Sequence, residues 1–251
     1  MKTFSVRFLT IVVCASLLCI PHYASAEADL SNTISMAQDM SMSDKDRIVA
    51  IRALGASGDA RASGPLLDIL ETLSETGAIR SSAVRALANL GTPRGEILQV
   101  LEKVYRDPLT GNNLSYTILL YLGYMQATES LPLLSEALSH SNSMIRFKAA
   151  QALGMLQHDD AIDTLVSHMK SEEDPMVRAE MVQAIGQTQN PETEAALIQV
   201  LQSDQEPLVR FNSAIMLGKF KTLSLEARSA LEAARDDESP SVRAKVKGIL
   251  Q

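Results

Sequence analysis

Residues 174–187 read Asp174-Pro175-Met176-Val177-Arg178-Ala179-Glu180-Met181-Val182-Gln183-Ala184-Ile185-Gly186-Gln187. An acidic N-cap, a proline at the first helical position and a terminating glycine bracket an apolar face of Val177, Met181, Val182, Ala184 and Ile185, the pattern of an amphipathic helix.

The same helix is written again and again. Gly154 and Gly218 are each preceded eight residues earlier by an arginine (Arg146, Arg210) and nine earlier by Ile145 or Val209. A truncated copy opens at Ser239-Pro240-Ser241-Val242-Arg243, and looser copies end at Gly123, Gly91 and Gly55, the last with Arg47 in the arginine slot. A fixed interval of roughly 32 residues means stacked supersecondary units, each covering the apolar face of its neighbour.

The start of the chain reads differently. Lys2 and Arg7 precede the apolar run Phe8–Ile20, followed by Pro21 and Ala24-Ser25-Ala26. Charge, apolar core and small residues in that order are the pattern of a cleavable signal peptide, residues 1–26, with the mature chain starting at Glu27. The run is short for a membrane span, which needs about 20 residues, and an uncleaved anchor is the alternative reading. Both cysteines, Cys14 and Cys19, fall inside it, and Cys19 follows Leu17 and Leu18 rather than the small residues of a lipidation site. The mature chain then has no disulfide and no thiolate metal site, and tolerates an oxidising compartment. The expected location is the periplasm or the outside of the cell.

The net charge of -7 becomes more negative once Lys2 and Arg7 are removed. That balance argues against nucleic acid and anionic lipid as partners. Apolar residues make up 46% of the chain, enough for a core, while Trp is absent and aromatics are only 4%, so the core is one of small aliphatic side chains. Residues 27–251 are therefore expected to form an all-α, right-handed solenoid of about seven stacked helical hairpins. Inner helices of the opening type alternate with outer helices patterned by Ala161, Leu165 and Met169, by Ala196 and Val200, and by Ala227 and Leu231. Connections such as Ser171-Glu172-Glu173-Asp174 are short and polar, and no segment alternates with period two as a half-buried strand does.

The Pro, then Val-Arg, then Ala, then Ile-Gly or Leu-Gly signature resembles the HEAT-like repeats of the phycobilisome-lyase type. The resemblance implies a helical solenoid over residues 27–251, with the recurrent arginines forming an internal ladder. Of similar repeats, the ankyrin Thr-Pro-Leu-His is missing, and only Leu122-Gly123-Tyr124 resembles a tetratricopeptide motif. The structural ladder would comprise Arg146, Arg178, Arg210 and Arg243, with Asp174 and Glu206 four residues before their arginines as partners.

Candidate chemistry is sparse. Deoxyhypusine hydroxylase shares the repeat and holds iron through His-Glu pairs, but His22, His140, His158 and His168 are none of them followed by Glu. Bilin attachment fits poorly with an exported, cysteine-free chain. Asp159-Asp160 and Asp236-Asp237 read as helix-capping carboxylates. Met36, Met40 and Met42 could hold copper(I), or could cover the end of the stack as flexible apolar side chains. No catalytic residue, metal site or cofactor is expected, and the chain reads as a non-enzyme.

The third repeat stands apart. Tyr105, Tyr116, Tyr121 and Tyr124 all fall within it. Six and three residues before the glycine and one after it, the inner helix should face solvent. The fifth copy has Glu180, Gln183 and Gln187 there, and the fourth Lys148, Gln151 and Met155, but the third has Thr117, Leu120 and Tyr124. A polar row has turned apolar and aromatic, as at the centre of a protein-binding hot spot. Tyr116 shares its slot with Val84, Phe147 and Phe211 and is expected in the core, whereas Tyr121 replaces the alanines Ala53, Ala152 and Ala184. The expected partner-binding set is Arg85, Thr117, Leu120, Tyr121, Tyr124, Lys148 and Gln151, presented on a concave surface to a protein or peptide. An accessory or chaperone-like subunit of an enzyme, or a small-ligand or metal carrier, are the alternatives.

Overall fold

The computed structural model describes residues 20–188 and 191–251; most of the signal-peptide stretch, and positions 189 and 190, lie outside the described residues. Among the described residues there are fourteen α-helices, three short 3-10 turns and no strand. The helices are α1 (Ile20–Gln38), α2 (Asp44–Ala56), α3 (Ser63–Glu71), α4 (Gly77–Leu90), α5 (Arg94–Arg106), α6 (Asn112–Tyr124) and α7 (Leu131–Ala137). They continue as α8 (Ser143–Leu156), α9 (Asp159–Met169), α10 (Pro175–Ile185), α11 (Pro191–Ser203), α12 (Pro207–Leu217), α13 (Leu225–Ala233) and α14 (Pro240–Ile249). Taken in order they make seven helical hairpins, a HEAT-type α-solenoid.

Local chemistry sets the starts. The side chains of Ser43, Thr76, Asn142, Asp174 and Ser224 accept backbone N–H groups of α2, α4, α8, α10 and α13, and proline opens α10, α12 and α14, where a missing N–H costs nothing.

The chain divides into two compact units, Met1–Pro93 and Arg94–Gln251. In the first, α2 lies beside α4, with α1 against α2 and α3 against α4, around Ile51, Leu54, Leu66, Leu70, Ile79 and Leu87, none of which touches solvent. In the second, α6, α8, α10, α12 and α14 pack each on the next as an inner layer, and α7, α9, α11 and α13 form an outer one. Leu119, Leu153, Ile185 and Leu217 occur one residue before the register glycine or four, and all are fully buried. Burial of side chains of this size stabilises by about 1.5–3 kcal/mol each.

The register glycines do something other than end helices. Gly55, Gly123 and Gly154 sit inside α2, α6 and α8, and Gly186 and Gly218 cap α10 and α12 in right-handed helical conformation, which any residue can adopt. What they supply is space. A Cβ at Gly55 would lie 2.5 Å from the Cα of Ala86, one at Gly123 2.8 Å from the Cα of Ala152, and one at Gly154 2.7 Å from the Cβ of Ala184. A Cβ at Gly186 would instead meet the side chain of Met216, and one at Gly218 the side chain of Ile249, at 2.9 Å. Gly55, Gly123 and Gly154 therefore let the next inner helix approach to backbone contact, and Gly186 and Gly218 make room for a side chain of the next helix.

The second copy corrects the register taken from Gly91. Arg80 donates its Nε to the carbonyl of Leu70, ten residues back, as Arg47 does to Ala37. Counting on from Arg80, the glycine slot falls at Ala88. Gly91, at φ 69°, is a left-handed C-cap three residues later. Arg85 consequently occupies the slot three before the glycine position rather than six, and Val84 is not equivalent to Tyr116.

The arginines form a ladder inside the second unit. Nε and Nη2 of Arg146 reach Glu172, those of Arg178 reach Asp204, and those of Arg210 reach Asp237, all at 2.7–3.0 Å. Nη1 of each, and of Arg243, donates to two carbonyls of the loop just before its own helix: His140 and Ser141, Glu172 and Glu173, Asp204 and Gln205, Asp237 and Glu238. The acid also holds its own loop, since Glu172, Asp204 and Asp237 accept the N–H groups of Asp174, Glu206 and Ser239. In the first unit Arg47 pairs with Glu75 by a two-pronged contact.

The carboxylates are thus not Asp174 and Glu206. Those residues stand at the N-caps of α10 and α12; Asp174 is turned to its own helix start, accepting the N–H of Met176 at 2.8 Å, and Glu206 makes no side-chain cap bond. The guanidinium reaches instead to an acid two positions earlier in the following loop. Asp159 and Asp160 are a second correction: His158 caps α9 and the two aspartates fill its first turn, where the helix dipole favours negative charge.

Candidate protein-binding face

The solvent-facing row of the inner layer in the second unit begins on α6. Ile118, Leu119 and Leu122 turn inward and are fully buried, which leaves Thr117, Leu120 and Tyr121 half-buried and Tyr124 exposed at 62%. The rings of Tyr121 and Tyr124 pack with centroids 5.4 Å apart, tilted by 50°. A pair of this geometry contributes about 0.5–1.5 kcal/mol beyond its area, so the two rings form one preorganised aromatic platform. The displaced alanine slot is accommodated because Tyr121 tips outward onto Tyr124 instead of entering the core.

On the adjacent helix α8, Lys148 and Gln151 come together: Nζ donates to Oε1 at 3.0 Å and lies 5.3 Å from the ring centroid of Phe147. Glu180, on α10, completes the row. Burial pushes its carboxyl above the ordinary value, and the nearby Lys148 ammonium partly opposes that. Arg85 is exposed on α4, in the first unit. Tyr116 is half-buried, and its hydroxyl accepts the side-chain N–H of Asn142 at 3.2 Å, tying α6 to the start of α8. Tyr105 is on α5, not the inner layer. Burial raises its phenol above the usual value.

The histidines have local tasks. His140 and His158 accept the N–H groups of Asn142 and Asp160 through Nδ1, and His168 contacts the Thr164 carbonyl at 2.9 Å. Among the described residues no three His, Cys, Asp or Glu side chains are grouped as metal ligands would be. Met40 is exposed, Met36 and Met42 half-buried, at the start of the first unit.

A second exposed row escaped the reading of the sequence. Met144, Met176 and Leu208 each occupy the second position of an inner helix, and all three are exposed. Their constant distance from the register glycine is the signal that could have found them. An apolar residue beside the proline slot looks like core until the ladder shows that this position faces out.

The family model for HEAT repeats matches residues 32–111, 112–180 and 162–249. The chain belongs to the HEAT repeat family. Among solved structures, this HEAT repeat chain is similar to YibA of Escherichia coli, at 13% identity, covering 98% of this chain and 99% of that one with a TM-score of 0.53. It is likewise similar to an archaeal HEAT-like repeats protein from Thermococcus onnurineus, at 15% identity over 88% and 95% with a TM-score of 0.52. The CpcE–CpcF complex of phycocyanin lyase from Nostoc is a more distant likeness, 20% identical over 92% and 96% with a TM-score of 0.45. No curated protein matches the sequence. At such identities the likeness concerns the fold. Among the described residues, no helix is long and apolar enough to cross a membrane.

Proposed function

We propose that this HEAT repeat protein is an exported, non-enzymatic scaffold that binds a protein or peptide through the inner-layer face of its third repeat. One observation carries the reading: the slots that hold Glu180 and Gln183 on α10 and Gln187 just after it hold Thr117, Leu120 and Tyr124 on α6, with the Tyr121–Tyr124 pair standing out from them. Aromatic side chains with little rotamer freedom, flanked by the polar Lys148 and Gln151, are the composition of a hot spot and its rim. Tyrosine offers a large contact area at low entropic cost. The exposed Met144, Met176 and Leu208 supply adaptable apolar contacts along the same layer.

Export rests on the charge, apolar and small-residue order of residues 1–26, and the mature chain would begin at Glu27. The test is capture from the exported fraction of the native cell with tagged residues 27–251, beside the Leu120→Ser/Tyr124→Ser double variant. A polypeptide recovered by the first and lost by the folded second supports the reading. The same catch from both contradicts the assignment of the face.

A further inference from the structure

The ladder of the second unit is interrupted at its first rung. Counting from Gly123 as Arg146 is counted from Gly154, the arginine slot of α6 holds Ser115. The position that pairs with it in the next loop, occupied by Glu172, Asp204 and Asp237 in the later repeats, holds His140. Both members of the rung are replaced together. His140 keeps only the loop-holding half of the task, accepting the N–H of Asn142 at 2.9 Å as Glu172 accepts that of Asp174.

Two carbonyls are left over. In the other repeats the carbonyls one and two residues before the N-cap receive Nη1 of the ladder arginine. Before Gly111, the N-cap of α6, these belong to Leu109 and Thr110, and among the described residues neither accepts a hydrogen bond. Ser115 is 5% exposed, and its hydroxyl likewise has no partner among the described residues. Thr110 and Ser115, though not Leu109, line a cavity of about 470 Å³ together with Tyr105, Asp107, Asn112, Glu136 and His140, among others. Arg106 is the one permanent cation on its wall, and its Nη1 is already held by Glu136 at 2.6 Å.

We infer that this vacant rung is a binding site for an arginine side chain contributed by a partner polypeptide. Two carbonyls before a helix start take a guanidinium four times over in this chain, at Arg146, Arg178, Arg210 and Arg243, and at the first three a carboxylate completes the rung. Here Asp107 is on the cavity wall, with Glu136, which also holds Arg106. A planar group with five donors matches that arrangement, and a compact ammonium does so less well. The acidic balance of the chain favours a basic partner. Ser115 lies nine residues before Tyr124 on the same helix, roughly 14 Å along its axis, so the site is separate from the tyrosine platform and does not rest on its role.

The test is a thermal melt of the full chain with increasing Nα-acetyl-arginine amide, with Nα-acetyl-citrulline amide as the uncharged isostere and free L-arginine as a third arm. A saturable rise in Tm with the blocked arginine, absent with citrulline, is expected. The Ser115→Arg/His140→Glu variant, which rebuilds the rung from within, should melt higher than the parent and no longer respond. Equal response to arginine and citrulline, or a response only to the free amino acid, overturns the inference, as does a response that persists in the rebuilt variant. Should that variant not fold, the imidazole resonances of the parent decide. Those of His140 should shift with the blocked arginine while those of His158 stay, and unmoved His140 resonances overturn the inference.

Discussion

Arg178 and Asp204, twenty-six residues apart, meet through two hydrogen bonds of 2.8 and 3.0 Å at sites only 15% and 10% exposed. The same guanidinium holds the carbonyls of Glu172 and Glu173, so one side chain joins the start of α10, the loop before it and the loop two helices on. Removing it leaves two carbonyls without their donor and a nearly buried carboxylate without its counter-charge, with only the N–H of Glu206 still bonded to it. Arg178→Ala should cost about 2–4 kcal/mol in urea unfolding. Arg178→Lys should recover only part of that, because an ammonium cannot span both oxygens.

The glycines give a paired prediction. Gly154→Ala places a methyl against Ala184 and should destabilise by about 1–3 kcal/mol, as overpacking between close elements does. At Gly64, in the first turn of α3, a Cβ meets nothing within 4 Å and φ is ordinary. Gly64→Ala should therefore stabilise by about 0.4–1 kcal/mol through the unfolded chain. Equal effects in denaturant melts would remove close approach as the reason for the glycine register.

Acid should loosen the ladder. Asp237 has its carboxyl held below the usual value, first by the Arg210 guanidinium and further by the N–H of Ser239. A folded value lower than the unfolded one means that stability is fully present above the ordinary aspartate range, near pH 4, and is lost as pH falls through the folded value. Between pH 6 and pH 3 the urea midpoint of the parent should drop further than that of Asp237→Asn, which starts lower and has less to lose. Parallel drops would contradict the assignment.

Leu120→Ser/Tyr124→Ser should keep its helical circular dichroism, because Tyr124 is exposed and Leu120 is only half-buried. Loss of the folded signal would mean that these side chains are core.

Much of this was legible in the sequence for a physical reason. Capping residues, prolines and an apolar face every 32 residues or so are local signals, and α8, α10 and α12 follow them closely. What the sequence could not display was which far residue completes each contact. The acid that meets Arg178 is Asp204, not the Asp174 nearby in sequence: the guanidinium does reach back to its own N-cap loop, but to the carbonyls of Glu172 and Glu173, while the Asp174 carboxylate caps the N–H of Met176. Gly91 misled for a similar reason. A left-handed cap and a close-contact glycine are the same letter, and only Arg80, bonded to Leu70, shows that the contact position is Ala88. At the candidate face, the apolar slots of α6 could be counted, but the joining of Tyr121 to Tyr124 and the exposed Met144, Met176 and Leu208 row depend on which side of a packed helix remains open.

The most direct test of the scaffold reading is site-specific photo-crosslinking in the exported fraction, with a benzophenone amino acid at position 124 or at Leu225, which is exposed on the outer helix α13. A discrete adduct with one polypeptide from position 124 and none from position 225 is predicted. Adducts of equal yield from both, or from position 225 alone, would contradict a binding face on the third repeat.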